Sequence, residues 1–245
     1  MFHFFKEKPL LRDLIPDNHV DIHSHILPGI DDGAKTIEDT ISLLQQMKAI
    51  GFENIITTPH IITNVYDNTE ISIEIKYQET LATINGNKII KTFDFAAEYL
   101  MDSYLMKKME TQKLLPIKQN YVLVEMSYIS PPIQLYDIIF ELQLSGYKPI
   151  LAHPERYQFY HANFNEYEKL KKAGCLFQLN LLSTVGYYNK NVAEIADKLL
   201  NKNMIDFVGS DIHHQNHITA FNHKIKIRNN VALENAINQN LLFLK

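Results

Sequence analysis

Apolar positions in this chain follow two alternating rhythms. Short runs dense in Val, Ile, Phe and Tyr fall at residues 19–22, 54–58, 93–98, 121–126, 149–153, 175–180 and 205–210. Each is short and rich enough in β-branched and aromatic residues to predict a strand. They recur about every 25 to 40 residues, leaving room for a helix in each gap, the βαβ rhythm of a mostly parallel sheet. The first gap is punctuated clearly. Thr36 begins a capping box with Asp39, Ile37, Ile41, Leu44 and Met47 share a helical face, and Gly51 stops the helix. Further helices are predicted over 69–84, from Pro131-Pro132 as a first turn to about 145, and over 165–173, 191–201 and 230–238. No repeat, linker or charge block divides residues 1–245, so one domain is expected. Seven strands with helices between them predict a closed or nearly closed α/β barrel. The alternative is an open doubly wound sheet, whose usual G-x-G-x-x-G and G-x-x-x-x-G-K phosphate loops are absent.

Composition narrows the class. With 46% hydrophobic residues the chain can fill a core, and a net charge of −4 leaves no basic footprint for nucleic acid. A single Cys precludes an internal disulfide scaffold. The start, Met1-Phe-His-Phe-Phe before a charged Lys6-Glu-Lys, is too short and charged for a signal peptide. No apolar run approaches the roughly 20 residues of a membrane span. A cytoplasmic protein that is not embedded in a membrane is therefore expected. Histidine is the excess, at 11 residues against only three Arg: Arg12, Arg156 and Arg228.

The histidines sit where the predicted strands end. The first strand leads into Asp21-Ile-His23-Ser-His25 and Asp31-Asp32-Gly33, and the second into Thr57-Thr-Pro-His60. The third ends in Glu98, the fourth in Glu125, the fifth in His153-Pro-Glu155-Arg156 and the last in Asp211-Ile-His213. Only the sixth, ending near Asn180, brings no His or carboxylate. In a barrel these ends converge on one face, where active sites lie. Imidazoles and carboxylates without thiols suit Zn, Mn or Fe. In an extended His-x-His or Asp-x-His the two side chains point the same way, so His23 with His25, and Asp211 with His213, can chelate one ion. Glu98 and Glu125 follow apolar runs and need a cation or a strong hydrogen-bond network to offset desolvation. His23, His25, Asp32, His60, Glu98, Glu125, His153, Asp211 and His213 are thus the candidate ligands. Nine ligands imply two or three ions.

These motifs in order, D-I-H-S-H-I-L-P-G-I-D-D-G, T-T-P-H, A-A-E, V-E-M-S, A-H-P-E-R-Y and G-S-D-I-H, resemble the PHP superfamily. More narrowly they are similar to the bacterial CpsB/YwqE-type protein-tyrosine phosphatases of capsule and exopolysaccharide loci. The resemblance implies a distorted (β/α)7 barrel with a trinuclear, often manganese-dependent, site. It places His23, His25, Glu98 and Asp211 on the first metal. Glu98, Glu125 and His153 would hold the second, and Asp32, His60 and His213 the third. Arg156 corresponds to the arginine that binds substrate phosphate. Where relatives acting on histidinol phosphate or in polymerase proofreading commonly carry His, this chain has Glu125, which favours the tyrosine-phosphatase branch. One departure is a missing second Arg after D-x-H. His217 or Lys224 is the candidate replacement.

A metal cluster lowers the pKa of bound water from roughly 15.7 toward about 7, so no protein nucleophile is required. That agrees with Cys175, expected mid-strand and far from any phosphate-cradling loop. Arg156 would neutralise phosphoryl oxygens, and His213 or a metal-bound water would protonate the leaving group. The substrate implied is a phosphotyrosine protein, the Tyr-rich tail of a bacterial tyrosine autokinase. The alternatives are a histidinol-phosphate-type phosphomonoesterase and a non-catalytic metal-stabilised scaffold. Plainer roles are expected elsewhere: His3, His161, His214 and His223 at the surface, His19 at a strand entry, and His217 in a loop. Turn chemistry alone would also explain Asp32 before Gly33, its choice over Asp31 as ligand resting on the family register, and Glu155 reads as solvated or Arg-pairing. Tyr157, Tyr160, Tyr187 and Tyr188 read as packing residues.

Overall fold

Parallel strands need a crossover between partners, and helices supply most of them here. The computed structural model describes residues 7–84 and 89–244; His3 lies outside them. The first half runs β1 (His19–Asp21), α1 (Ile37–Ile50), β2 (Phe52–Thr57), β3 (His60–Ile61), α2 (Glu70–Ile84), β4 (Thr92–Phe95) and β5 (Glu98–Leu100). Next come α3 (Ser103–Thr111), β6 (Tyr121–Glu125), α4 (Leu135–Leu144), β7 (Lys148–Ala152) and α5 (Asn165–Lys172). The chain closes with β8 (Leu176–Asn180), α6 (Lys190–Asn201), β9 (Phe207–Gly209), α7 (Gln215–Ala220) and α8 (Asn230–Gln239). All pairings between these strands are parallel. None of the described helices is long and apolar enough to cross a membrane.

Two sheets, β1-β2-β4 and β3-β5-β6-β7-β8-β9, make one ring. Thr58-Pro59 separates β2 from β3 and Ala96-Ala97 separates β4 from β5, yet the ladder continues across both breaks. Ala96 N donates to Thr57 O at 2.8 Å and Glu98 N to Pro59 O at 3.1 Å. The nine strands therefore act as the seven that the sequence predicts.

The seam between β9 and β1 is closed differently at its two ends. At the bottom the Asn240 side chain takes the place of a ladder, donating to Val20 O and Val208 O and accepting from Val208 N. Asp21 then receives both Ser210 N and Ser210 Oγ. At the top backbone pairing resumes, with Asp211 N on His23 O and His25 N on Ile212 O. This partly unladdered seam is the distortion of the barrel.

Strand alternation puts both faces of the sheet in apolar surroundings. Val20, Ile22, Ile56, Leu123, Ile150 and Phe207 fill the barrel interior, with Phe243 plugging its base. Val122, Val124, Leu151, Phe177, Leu179 and Val208 face the helices. The parity that carries Ile56, Ala96, Leu123 and Phe207 inward carries His60, Glu98, Glu125 and Asp211 inward at the strand ends.

Several local expectations need correcting. The buried face of α1 is Thr40, Leu43, Leu44 and Met47, so it is turned from the predicted stripe and leaves Ile37 and Ile41 only partly covered. Thr40 fits inside because its hydroxyl donates to Ile26 O at 2.7 Å. Pro131-Pro132 precedes α4 rather than forming its first turn. The run 93–98 is split, and Cys175 sits just ahead of β8. Helices α3, capped by Asp102 on Tyr104 N and Leu105 N, and α7 carry too short a pattern to show in the sequence.

Candidate metal centre

Glu98 lies at the middle of the convergent strand ends. It is fully buried, and neither carboxylate oxygen takes part in a hydrogen bond of acceptable geometry. Four imidazoles nevertheless crowd it. His60 Nδ1 is 3.0 Å, His23 Nε2 3.3 Å and His25 Nε2 3.5 Å from Oε2, while His153 Nε2 is 3.2 Å from Oε1. Burial alone would raise the Glu98 pKa, but His23 and His60 hold it well below the usual carboxylate range. Glu125 differs, pushed up by burial and by the charge of Glu98. Burial lowers His25 and His153 to about 4, keeping their lone pairs free. A buried carboxylate ringed by nitrogens without hydrogen bonds is the arrangement a divalent cation satisfies.

All nine expected ligand residues meet here, in four overlapping groups: His23/His25/Asp211, His23/Glu98/His153, His60/Glu98/Glu125 and His25/Asp32/His60/His213. The overlap departs from the partition implied by the resemblance. Glu125 groups with His60 rather than with His153, and His25 also joins Asp32, His60 and His213. His60 is the reason, since its Nδ1 is 3.0 Å from both Glu98 and Glu125 while its Nε2 is 3.5 Å from Asp32.

Polar neighbours that the sequence did not single out fix these side chains. Gln178 Oε1 is 2.7 Å from His23 Nδ1, and Asp31 Oδ2 is 2.8 Å from His25 Nδ1. Each leaves Nε2 to face the centre, the usual role of a ligand's outer partner. Asp31 also receives Gly33 N, so it is an orienting residue as well as a turn residue. Asn180 donates to Asp211 Oδ2 at 2.9 Å and to the Tyr188 hydroxyl at 2.7 Å. The sixth strand thus supplies no candidate ligand but orients two of them, His23 and Asp211. Backbone crowding is tight as well. A Cβ on Gly33 would sit 2.1 Å from His25 O, and one on Gly209 would meet Gln178 and the His23 Cβ. His153 and Asp211 both adopt left-handed backbone conformations, at φ 36° and 51°. Such conformations are sparsely populated for residues other than glycine and cluster at functional sites.

A cavity of about 210 Å³ opens over the centre, walled on its outer side by Tyr128, Arg156, Tyr188, His214 and His217. Arg156 donates to Asp211 Oδ2 at 2.7 Å. Its guanidinium lies 4.0 Å from the Tyr188 ring centroid and 4.8 Å from that of Tyr128, a double cation–π contact. Tyr188 therefore does more than pack. Tyr128 carried no warning in the sequence beyond its place three residues past Glu125, and its hydroxyl lies 3.4 Å from His153 Nε2.

Three other expectations change. His217 is on α7, not in a loop; its Nδ1 accepts from His213 N at 3.1 Å, and burial lowers it to about 3. Lys224 pairs with Glu7 and does not line the cavity. Glu155 is neither solvated nor bonded to Arg156: it is fully buried, accepting from Asn180 N and Ser183 Oγ. Arg12 and Arg228 are engaged by Asn222 and Asp197, so Arg156 is the arginine at the cavity.

A family model for capsular polysaccharide synthesis, CpsB/CapC, matches residues 19–226. The Staphylococcus aureus protein CapC is 30% identical over 195 residues, which cover 79% of this chain and 76% of CapC. The tyrosine-protein phosphatase YwqE of Bacillus subtilis (strain 168) is 29% identical over 204 residues, 79% of this chain and 77% of its own. Among solved structures, those of the metal-dependent tyrosine phosphatases YwqE from Bacillus subtilis and CpsB from Streptococcus pneumoniae give a TM-score of 0.76 at 26% identity. That match covers 92% of this chain and 85% of the other. An amidohydrolase from Mycoplasma synoviae, 10% identical with a TM-score of 0.52 over 95% of this chain and 90% of its own, shares the fold alone.

Proposed function

Because the chain belongs to the CpsB/CapC family of capsular polysaccharide synthesis, we propose that it is a metal-dependent protein-tyrosine phosphatase. The observation that carries this reading is the orphaned, fully buried carboxylate of Glu98 among four imidazoles, two of which, His60 and His153, line a cavity shared with Arg156 and two tyrosines. His23, His25, Asp32, His60, Glu98, Glu125, His153, Asp211 and His213 would hold two or three divalent ions. Nitrogen and oxygen donors without thiolate suit Mn²⁺, Fe or Zn alike, and it is the family resemblance that favours Mn²⁺. When bound, the ions supply a nucleophilic water at neutral pH and neutralise phosphoryl charge.

The chain's own residues do the rest. Arg156 exchanges its bond to Asp211 for two equatorial phosphoryl oxygens, for which a planar fork is suited. Tyr128 and Tyr188 keep that fork in plane. His217 fixes the backbone of His213. The two roles expected of His213 exclude each other, because its Nδ1–H is given to Asp211 O at 2.9 Å and only Nε2 remains. Its place beside Asp32 and His60 favours ligation. A phenolate leaving group, with a pKa of about 10, needs little acid assistance from the protein. Cys175 takes no part, since it is buried and its pKa is pushed up to about 12 by burial. The substrate is a phosphotyrosine protein, and the family's place in capsule synthesis points to a bacterial tyrosine autokinase.

Metal-stripped protein, assayed with and without Mn²⁺ on a phosphotyrosine peptide and on histidinol phosphate, tests this. Mn²⁺-dependent hydrolysis of the peptide, with histidinol phosphate much slower, is expected. The reverse preference would assign the small-molecule phosphatase, and hydrolysis of neither at full metal occupancy would leave a scaffold.

A further inference from the structure

Tyr128, which walls the cavity, is also the first residue of an exposed apolar track. Ile129 is 89% exposed and Ile133 fully so, and the track continues along the outer face of α4 through Tyr136, Phe140 and Leu144. Tyr136, Phe140 and Leu144, four residues apart, share one helical stripe, and Ile133 stands in the turn just ahead of it. The opposite face of α4 is already buried through Leu135, Ile138, Ile139 and Leu142. The helix is therefore apolar on both sides, and folding uses only one.

The segment leading into the stripe is held in shape. Ile129 N donates to Ser127 Oγ, Leu135 N donates to Pro132 O, and Pro131-Pro132 restricts the backbone between them. Met126 N is anchored on the Tyr157 hydroxyl at 2.9 Å. Large aliphatic side chains presented to water on a restrained segment are a preformed contact surface.

We propose that this track binds the polypeptide flanking the phosphotyrosine, and that it selects substrates with apolar residues beside the modified tyrosine. The occupant follows from continuity with the pocket. Tyr128 lines the cavity and Ile129 follows it directly in the chain, so a phosphotyrosine ring inserted against Tyr128 enters the cavity where the exposed track begins. The inference rests on the phosphotyrosine reading above.

The test compares free phosphotyrosine with phosphotyrosyl peptides bearing Leu or Asp at the three positions on either side. It uses Mn²⁺-loaded parent protein and the neutral Ile129→Ser/Ile133→Ser variant. The parent should prefer Leu-flanked peptide at least tenfold in kcat/KM. The variant should lose that preference through KM, with hydrolysis of free phosphotyrosine and the thermal midpoint unchanged. Equal rates on both peptides in the parent, or a preference the variant retains, would overturn the proposal while leaving the phosphatase reading intact. Failure of the parent on free phosphotyrosine and on every peptide would instead overturn the phosphatase reading. Sedimentation of both proteins completes the test. A parent dimer that the variant dissolves would assign the track to a second copy and also overturn the proposal.

Discussion

At the scale of single residues the site is built from contrast. Arg156 is a permanent cation held between two aromatic rings, and its one hydrogen-bonded carboxylate, Asp211, belongs to the candidate metal groups. Arg156→Ala should lower kcat/KM on phosphotyrosine by on the order of 10²–10³, the usual cost of removing one preorganised charge-stabilising donor. Metal content by elemental analysis should stay at the parent value. Turnover at the parent rate would remove Arg156 from the phosphate site. His19 makes a separate point about buried imidazoles. It packs edge-on against Phe52, and burial lowers its pKa to about 3, against about 6.5 in an unfolded chain. Between those values the unfolded chain binds the proton and the folded one does not, so stability falls as pH drops through that window. The slope is up to about 1.4 kcal/mol per pH unit. Urea unfolding at pH 7 and pH 5 should therefore show a loss smaller in His19→Leu than in the parent, by on the order of 1–2 kcal/mol. Equal losses would mean that His19 protonates in the folded state.

Elements place these residues, and the weakest joint among them is the β9–β1 seam. Asn240 alone ties Val20 O, Val208 O and Val208 N there, from a turn just past α8 and remote in sequence from both strands. Asn240→Leu strands those three buried backbone groups, at about 1 kcal/mol each. Chemical denaturation of metal-free protein should show a loss of about 2–3 kcal/mol, and a loss below about 0.5 kcal/mol would show the seam closed by other means. Strand ends are also where the sequence was most legible. Glu98, Glu125, His60 and Asp211 could be read because a charged or imidazole side chain at an inward position has few explanations in an apolar barrel. Gln178, Asn180 and Tyr128 could not, because neutral polar and aromatic residues suit many environments and their roles depend on side-chain direction. The α1 face was misjudged for a related reason. Thr40 counts as polar in a periodicity, yet it is buried once its hydroxyl reaches Ile26 O. Short helices such as α7 span too few residues to show a period, which is why His217 read as a loop residue.

Across the whole molecule one end of the barrel carries the chemistry. Asn240 and Phe243 close the opposite end, so the apolar interior is sealed below and polar above. The order of the motifs along the chain made the barrel and the position of the site foreseeable. The overlap among the candidate metal groups was not, since it arises from His60 facing Glu98, Glu125 and Asp32 together. Glu98, buried among four imidazoles, is the residue on which metal binding should turn. The direct measurement is metal stoichiometry and phosphotyrosine hydrolysis of the Mn²⁺-reconstituted parent beside Glu98→Gln, an isosteric change that removes only the charge. Two to three ions per parent chain are expected, with at least one lost and hydrolysis reduced at least a hundredfold in the variant. A variant that keeps the parent's metal content and rate would contradict the central claim.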